Sequence, residues 1–393
     1  MDLYLSAEEA ATNLGISKPT LYAYVSRGLV RSRHGSDSRS RLYNRLDIDQ
    51  LKARRRIRRR PQSEVQATLD WGFPLLDSAL TLIADENLYY RGTNTLELAR
   101  TRSFWEVACW FWNGSWNSCF VPEGSAYPLS GRRKDPVPAF QSWLIERSSR
   151  DPAGYQLQLP AAGSAGAAIA RQFLAILTGK QNPQLSQAAA ELQECWCKSR
   201  GGAQRIFDAA LIATLDHELN VSSFTARVVT SAGSNIYEVV SAAMCAFSGS
   251  RHGRASIRAE YLLRHLLEEA EVRRTIHRLL QSGQEISGFG HSAYPGGDPR
   301  AKLIFRLLEE EYPTEFAKIR RIIGELERSL HRSANIDAAL AAIGIVLKLP
   351  PHAGFHLFGL GRLVGWIGHA LEQSASGTLI RPRARYVGVM PKN

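Results

Sequence analysis

Long hydrophobic runs are missing from this 393-residue chain: no apolar stretch approaches the roughly 18 residues that span a bilayer, so a membrane-spanning protein is not expected. The opening residues, MDLYLSAEEA, lack the basic start of a secretory signal, and a cytoplasmic location is expected. Cysteine is scarce. Cys195 and Cys197 form a C-x-C with no second pair to match, which argues against a metal site and for isolated thiols in a reducing compartment. There is no G-x-G-x-x-G after a strand and no Walker loop, which argues against a Rossmann or P-loop enzyme. Convincing alternating strands are few.

Basic charge is present and unevenly spread. Residues 1–60 hold 14 Lys+Arg against 6 Asp+Glu, a net of +8, whereas the other 333 residues contribute only +4 of the total +12. The asymmetry predicts a small module that touches a polyanion, joined to a nearly neutral body. In the module, Ser6 caps a helix with Glu8 and Glu9 in its first turn, running to about Leu14. Gly15 turns the chain, and Ser17 caps a second helix from Lys18 to Ser26, closed by Gly28. Ala10, Ala11, Leu14, Leu21 and Val25 are spaced for one small core. This is a helix-turn-helix, with Lys18, Thr20 and Tyr22 on the recognition helix. The next residues read as two short strands around a Gly/Ser/Asp turn, then a helix. That winged arrangement resembles the MerR-type DNA-binding domain, and it places Arg27, Arg31, Arg33, Arg39, Arg41 and Arg45 on or near the wing, suited to duplex phosphates. The basic run Lys52–Arg60 leads into Pro61 as a linker.

From Pro61 onward the period is helical. Candidate helices cover residues 76–84, 93–113, 137–147, 164–178, 185–198, 203–218, 234–247, 256–281, 299–310, 314–331, 336–347 and 354–373. Trp105, Trp110, Phe111, Trp112 and Trp116 form a cluster suited to a core or subunit interface. The Ala/Gly-rich 160–170 segment reads as a flexible approach to a helix, and 221–235 as a small, polar loop walling a site.

Three residues carry the chemistry. His252 lies in GSRHG, where Gly249 and Gly253 let backbone approach a ligand, and Arg251 and Arg254 suit an anionic cofactor. His291 lies in GFGH, held on a tight loop by Gly288 and Gly290. Downstream, Asp298 is a good N-cap and Pro299 a good first helical residue, putting Arg300 at a helix start where a carboxylate can bind. Asp337 follows Asn335 at the start of an apolar helix, whose N-terminus is expected to favour its ionised form. Two neutral-pH proton donors, one carboxylate base and several fixed cations suit a reaction that makes an enolate and joins it to a small polycarboxylate.

Taken together, DHELN (216–220), FTARVV (224–229), RHG (251–253), GFGH with DPRA (288–301), NID (335–337), FGLGRLVGWIGHALEQ (358–373) and LIRPRARYVG (379–388) resemble the citrate synthase family, over roughly residues 80–388. The added N-terminal module resembles a bacterial subgroup carrying a MerR-like helix-turn-helix. The resemblance implies a mainly α, two-domain, all-helical fold working as a homodimer. The expected boundaries are a winged module at 1–60, a large helical domain at 61–252 and 348–393, and a small domain at 253–347. It also implies an acyltransferase that condenses acetyl-CoA with oxaloacetate to citrate and CoA, with no permanently bound cofactor. Asp337 would take a proton from the methyl carbon, His252 hydrogen-bond the thioester oxygen, and His291 polarise the ketone. His217, Arg300 and Arg362 would hold carboxylates, with Arg381 completing the partner's site.

Arg254 stands where the family usually has glycine, and Ser292 where many bacterial members have a basic residue; Lys302 and Arg383 are further candidates for CoA contacts. Propionyl-CoA, giving 2-methylcitrate, is a second acyl donor to consider, since one methylene changes discrimination by only about 1–3 kcal/mol. A reading from a different class is a DNA-binding transcriptional regulator whose body senses acyl-CoA or oxaloacetate without turnover. Retention of Asp337 favours the enzyme, because sensing needs the carboxylate clamps but not the base.

Overall fold

The computed structural model describes residues 4–34, 40–45, 47–49, 51–52, 76–117, 119–122, 126, 135–197, 201–384 and 386–389. The expectations for Arg39 and for the basic run after Lys52 lie outside these residues. The chain divides into two compact units, Met1–Ala79 with Ile83–Asn87, and Leu80–Leu82 with Leu88–Asn393.

The first unit opens with two helices, Ala7–Leu14 and Lys18–Ser26, each begun by a serine cap. Ser6 and Glu9 form a reciprocal capping box, and Gly15 ends the first helix in the left-handed region at φ 59°. Strands Ser32–His34 and Arg41–Asn44 pair antiparallel, as expected of a wing. A third strand that the sequence did not suggest, Tyr4–Leu5, pairs on the other side of Arg41–Asn44. Leu5, Ala10, Ala11, Leu14, Leu21, Val30, Tyr43 and Ile48 make the core, and Val25 packs on its edge.

Lys18, Tyr22, Arg27, Arg33 and Arg41 are solvent-exposed. Two of the predicted contact residues already have partners. Thr20 is only partly exposed, and its hydroxyl is 2.9 Å from that of Ser17, so it supports the cap. Arg31 is already paired: its Nε and NH2 donate to Asp47 at 3.0 and 2.8 Å. That bidentate geometry ties the wing to the residues after it, with the Arg31 side chain still 73% exposed.

The second unit is a layered array of helices. Two carry its centre. Helix Ala353–Ser376 is almost wholly buried, and helix Ala203–Thr214 lies against it. Glycines make the approach close: a Cβ on Gly361 would fall 2.6 Å from the Leu211 carbonyl oxygen, and one on Gly365 2.4 Å from that of Leu215. Gly365→Ala should therefore cost about 1–3 kcal/mol in denaturant unfolding, since a rigid backbone must move to admit the methyl group.

Several helix boundaries differ from expectation. Residues 76–84 are not helical; Thr81–Ala84 and Asn87–Tyr90 are strands. The 93–113 segment breaks at Arg102–Ser103 into Thr95–Thr101 and Phe104–Asn113, because the Glu106 carboxylate accepts from Ser103 N at 2.9 Å and starts a new helix. The 256–281 segment breaks into Ala255–Glu268 and Val272–Gln281. The Ala/Gly-rich segment is itself helical from Ala161 to Thr178. Its Gly163 faces the Phe120 ring, and Gly166 faces Trp112 and Ile367. That helix is long and apolar enough to cross a membrane by length and composition, but it is mostly buried inside the fold. Of the tryptophan cluster, Trp105, Trp110, Phe111 and Trp112 are core, while Trp116 stacks on Trp110 at 4.5 Å and stays 42% exposed.

Residues 221–235 are the largest departure. Val221–Ser231 is a helix, capped by Asn220, whose Oδ1 accepts from Ser222 N and Ser223 N. Its buried face is Ser222, Ser223, Ala226, Arg227 and Thr230, while Val221 is 65% exposed. A mostly polar face points inward, and the apolar stripe of Val221, Phe224 and Val228 lies on the less buried side, the reverse of the usual arrangement. Arg227 is satisfied by an ion pair with Glu372.

Candidate active site

Two loops, held to each other, position His291 and Asp337. Asn335 N donates to Gly288 O at 2.9 Å, Gly290 N to Ser333 O at 2.8 Å, and Asn335 Nδ2 to Gly290 O at 3.0 Å. Gly288 takes φ 94°, and a Cβ there would meet Ala259 and Ala338 at 3.1 and 3.2 Å, so glycine serves both the turn and the packing. Asn335 caps helix Ile336–Val346 through Asp337 N at 2.9 Å. Asp337 is therefore released from capping, and its Oδ1 is buried with no hydrogen-bond partner. The sequence expectation for its charge is corrected. Burial outweighs the helix N-terminus and the neighbouring arginines, and pushes Asp337 up to about 7.

Asp298 and Arg300 form the second support. Asp298 caps helix Pro299–Glu311, as expected, and takes a bidentate contact from Arg300, Nε to Oδ1 at 2.9 Å and NH2 to Oδ2 at 2.8 Å. Oδ2 also accepts from Ile336 N at 3.0 Å, which ties the start of the Asp337 helix to Arg300. Both side chains are buried. Burial opposes both charges, but each partner holds the other ionised, lowering Asp298 and raising Arg300. The bidentate contact leaves NH1 of Arg300 for another anion.

His217 and His291 meet beside this pair. Their rings are 5.0 Å apart, and Tyr294 OH bridges to His217 Nε2 at 2.9 Å. His217 follows helix Ala203–Thr214 rather than ending it, in a turn where Glu218 takes φ 52°. Its neighbour Asp216 is fully buried among Thr81, Ser223 and His369, with hydrogen bonds of 2.6, 3.1 and 3.2 Å. Burial lowers His291 to about 4, with Arg300 adding to it. His217 is held well below the usual imidazole range by burial, Arg300, His291 and Arg362. Both are neutral at pH 7.

His252 lies on a turn between helices Ile236–Phe247 and Ala255–Glu268. Gly253 there is required by packing: a Cβ would fall 2.5 Å from the Phe247 ring. His252 Nε2 is 2.7 Å from Ser222 Oγ, which accepts from Trp366 Nε1 at 2.9 Å and donates to Asn220 Oδ1 at 2.8 Å. Burial lowers His252 to about 3, with help from Arg362. Arg362 is buried, donates its Nε to Thr214 O at 2.9 Å, and is lowered to about 10 by burial. Among the described residues it has no ion-pair partner. The fields of Arg300 and Arg362 thus reach His217 and Asp337 together, with His252 under Arg362 and His291 under Arg300.

Three predicted residues do not join this group. Arg251 and Arg254 are exposed on either side of His252 and Gly253; Arg254 begins the next helix without a side-chain cap bond. Arg381 lies in an exposed segment without regular secondary structure, and no hydrogen bond or ion pair among the described residues joins it to the histidines. Conversely, Ser222, Asn220, Trp366 and Tyr294 escaped the sequence reading. An Asn-x-Ser start to a helix was the available signal for the first two. A cavity of about 660 Å³ opens beside His291, lined by Ser292, Tyr294, Asp298, Arg332 and Asn335 among others.

Neutral histidines have a cost in acid. An unfolded histidine binds a proton below about 6.5, whereas folded His252 and His291 refuse one until about 3 and 4. Stability should fall as pH drops below 6.5 and reach its full loss near those lower values. Urea unfolding between pH 7 and 4 measures it, and His252→Asn should flatten the slope.

Residues 145–383 match the family described as Citrate synthase, C-terminal domain, and residues 4–56 match Helix-turn-helix domain. Among curated relatives, a citrate synthase of Haloferax volcanii is 35% identical over 193 residues, covering 46% of this chain and 50% of its own length. Citrate synthase 2 of Bacillus subtilis is 34% identical over 202 residues, with the same two coverages. A 2-methylcitrate synthase of Shewanella oneidensis is 30% identical over 194 residues, covering 48% and 52%. The matches span about half the length of these relatives. The fold is similar to a citrate synthase of Thermotoga maritima, with TM-score 0.64 and 24% identity over 82% of this chain and 96% of that one. It is also similar to a citrate synthase of Thermoplasma acidophilum in ternary complex with carboxymethyl coenzyme A and oxaloacetate, with TM-score 0.68 and 22% identity over 81% and 95%.

Proposed function

The chain belongs to the citrate synthase family, and from that premise we propose that it joins the methyl carbon of acetyl-CoA to the ketone of oxaloacetate, forming citrate and CoA. The observation that carries this reading is Asp337: a buried carboxyl with an unpartnered oxygen, shifted to about 7, under the same arginine fields as three neutral histidines. A base of neutral pKa is matched to its working pH. It cannot take a proton from carbon unless the oxyanion is stabilised at the same moment. His252, a neutral imidazole beside the reacting carbon, supplies that donor to the thioester oxygen. The resulting enolate carbon attacks the oxaloacetate ketone, whose oxygen His291 polarises. Water then cleaves the citryl thioester. Arg300, Arg362 and His217 hold the carboxylates, and Arg251 and Arg254 meet CoA phosphates from the rim. Residues 253–347 act as a small domain that closes over the substrates, and Arg381 completes the site of a second copy in a homodimer.

A thiol-release assay with oxaloacetate and either acetyl-CoA or propionyl-CoA tests this. Wild type should release CoA and Asp337→Ala should not. Preference for propionyl-CoA would move the product to 2-methylcitrate, as the Shewanella oneidensis relative's name suggests. Release from neither thioester, by a folded protein, overturns the enzyme reading and leaves the ligand-sensing regulator.

The first unit supports a second activity, binding of double-stranded DNA. Its exposed Lys18, Tyr22, Arg27, Arg33 and Arg41 lie on the recognition helix, the turn after it and the wing strands. Replacing Arg33 and Arg41 together with alanine should weaken duplex binding at low salt and reduce the salt slope by about two, as loss of two phosphate contacts requires. An unchanged slope would remove the wing from the interface.

A further inference from the structure

Two of the five cysteines are held together by residues that take no part in the reaction proposed above. Cys109 lies in helix Phe104–Asn113 and is 1% exposed; Cys119 follows in the next segment and is exposed. Phe120 fixes their approach. Its N–H donates to Cys109 Sγ at 3.3 Å, and its carbonyl accepts from Trp105 Nε1 at 3.3 Å. Its ring lies 5.9 Å from that of Trp112 and packs so closely on helix Ala161–Thr178 that a Cβ on Gly163 would meet it at 2.4 Å. These anchors keep the backbone of residue 119 one peptide unit from the Cys109 sulfur, close enough for each thiol to act on the ionisation of the other. Of the other cysteines, Cys245 Sγ accepts from Gln141 Nε2 at 3.1 Å.

We infer that Cys109 and Cys119 are a dithiol that a hydroperoxide converts to an intrachain cystine, fastening the segment after Asn113 to the helix that precedes it. The two thiols have different parts. The neighbouring Cys109 thiol favours the thiolate of Cys119, against burial and the charge of Glu106, and the Trp105 indole also favours it. Cys109 is pushed up, first by Cys119 and then by burial. Cys119 is thus both the exposed and the more acidic thiol, as a nucleophile must be. Its thiolate attacks the terminal peroxide oxygen, giving a sulfenic acid and, after protonation, an alcohol or water. Cys109 sulfur then displaces the sulfenic hydroxyl, forming the S–S bond and releasing water. Two thiols and one hydroperoxide give one cystine, one water and one alcohol or second water.

The test uses the full chain, reduced, freed of reductant and exposed to hydrogen peroxide in small excess, then unfolded and alkylated. The tryptic peptide covering residues 103–132 contains both cysteines. It should become two hydrogen atoms lighter and lose both alkyl groups together, while Cys195, Cys197 and Cys245 keep theirs. Thiol reductant should restore both. In Cys109→Ser, dimedone should trap the sulfenic acid at Cys119; in Cys119→Ser, Cys109 should remain alkylatable after peroxide. The surface position of Cys119 makes the second variant the safer one to fold, and a melting curve checks each. Two results overturn the proposal: Cys119 oxidised while Cys109 still alkylates, or Cys195, Cys197 or Cys245 oxidised first with the 103–132 peptide unchanged.

Discussion

Replacing Asp337 with asparagine should lower kcat with oxaloacetate and acetyl-CoA by about 10²–10⁴-fold, the range that a positioned general base contributes. The side chain keeps its shape and loses only the ability to accept a proton from carbon. Wild-type kcat/KM should rise with pH through about 7, where Asp337 deprotonates. His252 and His291, neutral above about 3 and 4, add no limb in that range. A second readout separates lost chemistry from lost folding. The folded pKa of Asp337 is about 7 against an ordinary 3.8, so between those values the native protein keeps a proton that the unfolded chain has released. Wild-type stability from this group is full below 3.8 and is lost as pH rises through 7. Asp337→Asn removes that dependence. It should therefore gain stability relative to wild type towards pH 8 and lose the advantage towards pH 4. An inactive variant that is also less stable at pH 8 would mean that Asp337 is a structural acid.

Asp298→Ala should destabilise the protein by about 3–5 kcal/mol, the usual loss when one partner of a buried ion pair is removed. Arg300 would remain buried with a charge it cannot give up. The same substitution frees Ile336 N, whose acceptor is Asp298 Oδ2, at the start of the helix that carries Asp337. Stability and turnover should therefore fall together. Asp298→Asn, which keeps one acceptor oxygen, should lose less of both. Chemical denaturation with parallel initial-rate measurements checks this. A fall in turnover with unchanged stability would mean that Asp298 touches substrate and is not merely the anchor of Arg300.

Local chemistry was legible where a short side chain finishes a backbone. Asp298 reads as a cap from its residue type and caps Arg300 N; Asn335, which the same preference points to but the sequence reading passed over, caps Asp337 N. The same rule, applied to Asn220, would have revealed helix Val221–Ser231, whose small polar residues suggest a loop. Strands Thr81–Ala84 and Asn87–Tyr90 were hidden for a different reason. Their turn places Asp85 and Glu86 at φ 51° and 57°, a conformation usually announced by glycine or asparagine. Long-range contacts left no local trace: nothing near Ser222 in sequence announces Trp366 or His252. The charge of Asp337 was misjudged because a helix N-terminus is visible in sequence and burial is not.

The most direct test of the central claim is the fate of carbon. Oxaloacetate and acetyl-CoA labelled with carbon-13 at the methyl group, incubated with the protein, should yield citrate with the label in one methylene, in equal amount to the thiol released. Asp337→Asn should yield neither above background. Thiol release with the label recovered as free acetate, or labelled citrate formed equally well by Asp337→Asn, would contradict an enolate made by Asp337 and held by His252.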